Sequence, residues 1–95
     1  MKAIKFITEN FCPIGAIDFN KSSDWYGALL EGDYCLNWWH DSQANKIEMY
    51  LFSPLPHCEL KYNQQQNLLV ERFKKSKLVE KVVTIGAMRI DVYLK

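Results

Sequence analysis

Alternation of apolar and polar positions dominates the chain, and it is clearest between Asp33 and Asp41. In an extended strand Tyr34, Leu36, Trp38 and His40 share one face, while Cys35, Asn37, Trp39 and Asp41 share the other. The polar run Asp41-Ser42-Gln43-Ala44-Asn45 follows. Ile47, Met49 and Leu51 then alternate with Glu48, Tyr50 and Phe52, so residues 34–52 are predicted to form a β-hairpin. Because Trp38 and Trp39 are neighbours, a strand must send their indoles to opposite faces, and a domain of this size rarely has a deep core on both sides of a sheet. One tryptophan belongs to the core, and the other is expected to be partly exposed.

Residues 2–9 interleave Ile4 and Phe6 with Lys5 and read as a first strand, which Cys12-Pro13-Ile14-Gly15 interrupts. Ile17 and Phe19 suggest a short second strand. Ser22, Ser23 or Asp24 could cap a helical turn running into Trp25 and Tyr26, with a strand as the competing reading for residues 25–31, and Gly32-Asp33 turns the chain. Pro54 and Pro56 make a stiff connector. Asn63 and Gln66 have the spacing of a capping box, which predicts a helix over 64–76 with Leu69, Val70 and Phe73 buried. At the end, a two-residue Gly86-Ala87 turn would pair Ile85 with Met88, Val83 with Ile90, Lys81 with Val92 and Val79 with Leu94, leaving a mixed, mostly wet opposite face. These elements predict one α+β domain over residues 1–95: a small antiparallel sheet of about five to six strands, including a C-terminal hairpin near 78–95, packed on one helix near 64–76.

Composition fits a folded domain: of 95 residues, 48% are apolar, 24% charged and 14% aromatic. The formal net charge of +1 hides an uneven distribution. Residues 18–48 hold six acids and two bases, whereas residues 61–95 hold eight bases and three acids, so the chain is dipolar along its length. Cys12, Cys35 and Cys58 form no dense disulfide framework, Glu9 and Asn10 interrupt any secretory apolar core, and no stretch could span a bilayer. A soluble, cytoplasmic protein without membrane contact is expected.

Chemistry-bearing patterns are sparse. His57 and Cys58 are adjacent, so an extended chain points them apart, and pairing Cys58 with His40 would require the fold to bring them together. The histidines and cysteines lack zinc-ligand spacing, and the four glycines form no phosphate-cradling cluster. Neither a metal, a cofactor nor an enzymatic activity is expected. Arg72, Lys74, Lys75 and Lys77 could displace counterions from a phosphate backbone, which gives an alternative reading as a nucleic-acid-binding or regulatory module; the plainer reading is a solvated helix end.

The acidic half is also the aromatic half. Trp25, Tyr26, Trp38 and Trp39 lie with His40 among Asp33, Asp41 and Glu48, and these eight residues form the candidate partner-binding set. The plainer reading is a set of rings filling a core beneath a solvated acidic surface. The functional reading is a stoichiometric inhibitor: the carboxylates occupy the substrate- or phosphate-binding surface of a basic, nucleic-acid-cleaving partner while Trp38 or Trp39 anchors the contact. In size, acidic aromatic surface and lack of a catalytic motif, the chain is similar to the immunity proteins that neutralise bacterial toxins. That similarity implies a protein partner and assigns no residues.

Overall fold

The computed structural model describes residues 2–11, 13–14, 26–29, 34–41, 43–53 and 59–95. Helix α1 (Lys2–Asn10) is followed by strands β1 (Pro13–Ile14), β2 (Tyr26–Leu29), β3 (Cys35–Asp41) and β4 (Lys46–Phe52), helix α2 (Glu59–Lys74), and strands β5 (Val79–Ile85) and β6 (Arg89–Leu94). The strands form one antiparallel sheet in the order β1-β2-β3-β4-β6-β5. β3, β4, β5 and β6 are its long members, and β1 and β2 extend it by two and four residues.

Two sequence expectations change here. Residues 2–10 form a helix and not a strand, because the core takes Ala3, Phe6 and Ile7, the three- and four-residue spacing of a helical stripe, and leaves Ile4 exposed. The described residues therefore hold two helices where one was expected. The second starts earlier than expected, at Glu59, which places Asn63 and Gln66 inside the helix and not at its cap. Tyr62, Gln66, Leu69 and Phe73 are its buried positions, with Val70 half-buried.

β3 and β4 pair as the hairpin pattern requires, Leu36 with Leu51, Trp38 with Met49 and His40 with Ile47. β6 continues the same face through Ile90 and Val92. Against it pack the apolar stripes of both helices, and the Phe6 and Phe11 rings meet Phe73 edge-on at 5.2 and 5.7 Å.

The C-terminal hairpin is out of the expected register by one residue. Its turn has three residues, Gly86, Ala87 and Met88, so Ile85 faces Arg89, Val83 faces Asp91 and Lys81 faces Tyr93. Gly86 adopts φ 65°, which only glycine accepts without strain. A bulge at Glu80 then restores Val79 to its place opposite Leu94. Val83 and Ile85, expected in the core, stand instead on the far face. Helix α1 and the residue after β6 meet: Lys2 Nζ donates to the carbonyl of Lys95, whose N–H donates to Leu78 O. No helix among the described residues is long and apolar enough to cross a membrane.

Candidate protein-binding face

Among the described residues, both helices lie on one face of the sheet and none covers the other. Strand pairing arranges that second face in rows. Trp39, Glu48, Asp91 and Val83 form the central row, flanked by Asn37, Tyr50, Arg89 and Ile85 on one side and by Asp41, Lys46, Tyr93 and Lys81 on the other.

The central row sets Glu48 directly opposite Asp91, a like-charge pair that would be destabilising alone. Cations from the flanking rows bracket it. Arg89 donates from Nε and Nη2 to the two carboxylate oxygens of Asp91 at 2.9 and 3.0 Å, and from Nη2 to Glu48 at 3.1 Å. From the opposite side Lys46 Nζ lies 3.1 Å from Glu48 and 3.7 Å from Asp91. Hydrogen bonding to Asp91 raises the Arg89 pKa above its ordinary value, and hydrogen bonding to Glu48 does the same for Lys46. Tyrosines flank the cations in turn: the Arg89 guanidinium sits 5.5 Å from the Tyr50 ring, and Lys46 and Lys81 sit 5.7 and 4.6 Å from that of Tyr93. Asp91 is buried in this lattice, whereas Phe52, Val83 and Ile85 on the same face are exposed.

The structure divides the candidate residues. Trp39 lies on this open face, half-buried beside Glu48. Trp38 and His40 lie on the helix face, where Trp38 is 1% and His40 9% exposed, so neither stands on the open face beside Trp39. Burial lowers the His40 pKa, and the nearby Asp41 carboxylate opposes that shift. Asp41 Oδ1 accepts from the N–H groups of Gln43 and Ala44, which commits it to shaping its own turn. Glu48 is held between Lys46 and Arg89, so the acidic surface expected from residues 33–48 is here a charge-compensated one. Tyr26 stands opposite Trp38 in the β2–β3 register, and Trp25 and Asp33 lie outside the described residues, as do Cys12, His57 and Cys58. Arg72, Lys74, Lys75 and Lys77 are exposed on the helix side.

Residues the sequence reading passed over are Lys46, Asp91, Arg89 and Tyr93. Their signal was present in the period-two spacing of 46-48-50 and 89-91-93, but only the pairing of β4 with β6 makes them neighbours. Among the described residues no three His, Cys, Asp or Glu side chains come together as metal ligands. Comparison with protein-family models, curated proteins and solved structures gives no match.

Proposed function

We propose that this chain is a cytoplasmic protein-binding domain that acts as a stoichiometric inhibitor of the toxin-immunity kind, docking the open face of its sheet onto a basic partner. The observation that carries this reading is Trp39: a large ring on the helix-free face, with carboxylates beside it and exposed Val83, Ile85 and Phe52 on the same face. Tryptophan is a frequent anchor of protein interfaces, and apolar neighbours extend the area it can bury. The ion-paired row offers a basic partner an exchange and not an open carboxylate: Lys46 and Arg89 are more exposed than Glu48 and Asp91, so an arginine or lysine of the partner would have to displace them to reach the two carboxylates.

The test begins with a partner captured from the native host and purified. A 1:1 complex on size exclusion, with loss of the partner's activity at one equivalent, is the expected result. Trp39→Ala, folded by circular dichroism, should weaken the complex by at least about tenfold, as loss of roughly 1.4 kcal/mol does. Unchanged affinity in both Trp39→Ala and Ile85→Ala would remove the open face as the contact.

A further inference from the structure

The other side of the domain carries exposed cations at the end of α2, and α1 adds to them. Its helical stripe turns Ala3, Phe6 and Ile7 inward and leaves Lys2 and Lys5 exposed. Its packing brings those lysines to the C-terminal end of α2. Phe6 and Phe11 hold the Phe73 ring between them, and the Arg72 guanidinium lies 5.5 Å from the Phe11 ring. Ser76 Oγ donates to Glu9, and Lys5 and Lys77 line one shallow depression of about 460 Å³ with Thr8, Glu9 and Leu78. Lys5 and Lys77 thus meet at one depression, Lys2 is exposed on the same helix as Lys5, and Arg72, Lys74 and Lys75 are exposed at the end of α2 that leads into it; the acids of α1 and of residues 71–77 are Glu9 and Glu71.

We propose that this two-helix surface binds the phosphate backbone of a nucleic-acid duplex without reading its sequence. Five of the six cations are lysines, flexible point charges suited to phosphate oxygens. Among the described residues the rings nearest to them, Phe6, Phe11 and Phe73, are buried and give unpaired bases no platform to stack on. The same burial leaves those three rings unable to anchor a protein partner. Because it lies across the sheet from Trp39, the proposal stands independently of the open-face reading.

The probe is a fluorescent DNA duplex of about twenty base pairs, titrated by anisotropy over a range of salt concentrations. The logarithm of the binding constant should fall linearly with the logarithm of salt concentration, by about 0.9 per phosphate neutralised. The double variant Lys5→Gln/Lys77→Gln should flatten that slope by up to about 1.8, and Lys74→Gln/Lys75→Gln should act alike. Lys81→Gln, on the opposite face, should leave it unchanged; circular dichroism checks each fold. Absence of binding at low salt would overturn the proposal, as would a slope insensitive to Lys5 and Lys77 or equally sensitive to Lys81. Tighter binding to the matching single strand would replace the duplex, and equally tight binding to polyglutamate would replace nucleic acid with an acidic protein.

Discussion

His40 shows how much a single position on a strand can determine. Its backbone pairs with Ile47, its side chain lies on the core side, and desolvation lowers its pKa below the ordinary 6.5 despite the neighbouring Asp41. The unfolded chain takes up a proton near that ordinary value, while the folded chain resists until the pH is lower. Between those values the unfolded state binds more protons, so stability is full above about pH 7 and falls as pH drops through 6.5 toward the folded-state value. Urea denaturation at pH 7.5 and 5.5 should show that loss, and a folded His40→Gln should show less of it. The residue beside it, Trp39, was legible in the sequence as one of two rings facing opposite ways. Which ring the core would take was not, because alternation gives two faces without saying where the helices lie. The helix face takes Trp38 because Leu36, Ile47, Met49, Leu51, Ile90 and Val92 already share it.

At the scale of elements, local pattern identified the β3–β4 hairpin and missed α1. Ile4 and Phe6 fit a period of two, but Ala3, Phe6 and Ile7 fit a period near 3.6 equally well, and nine residues are too few to decide between them without tertiary contacts. The C-terminal hairpin was legible as a hairpin, while its register depended on one added turn residue and one bulge, each of which inverts the side-chain parity. Gln66 helps hold that turn: its buried Nε2 donates to the carbonyls of Gly86 at 2.8 Å and Arg89 at 3.1 Å. Gln66→Leu removes both bonds and should cost about 1–3 kcal/mol in chemical denaturation. Gln66→Glu should cost more, since its carboxylate would set negative oxygen against two carbonyl oxygens.

At the scale of the whole molecule, the charge asymmetry of the sequence is partly cancelled by topology. β6 comes from the basic half and inserts beside β4 from the acidic half, so Arg89 meets Glu48 and the open face is compensated. The cations of the α2 end have no such partner strand, and α1 adds lysines to them. The candidate site was therefore legible as residue types and illegible as a surface: its chemistry depends on β4 and β6 being neighbours, although α2 and β5 separate them in sequence.

The meeting of Lys2 and Lys95 implies that the order in which this polypeptide is connected is not what its architecture requires. With those residues side by side, a linker of about four glycines, at roughly 3.3–3.6 Å per residue, can join them, and new termini can be cut into the exposed turn between Gln43 and Ala44. Such a circular permutant should melt cooperatively within about 10 °C of the parent. A second permutant opened between Gly86 and Ala87, where part-buried Gln66 fastens the turn, should melt lower than the first, which puts at risk only the exposed bonds of Asp41 to Gln43 and Ala44. If both are equally stable, the turn contributes less to the fold than its hydrogen bonds imply.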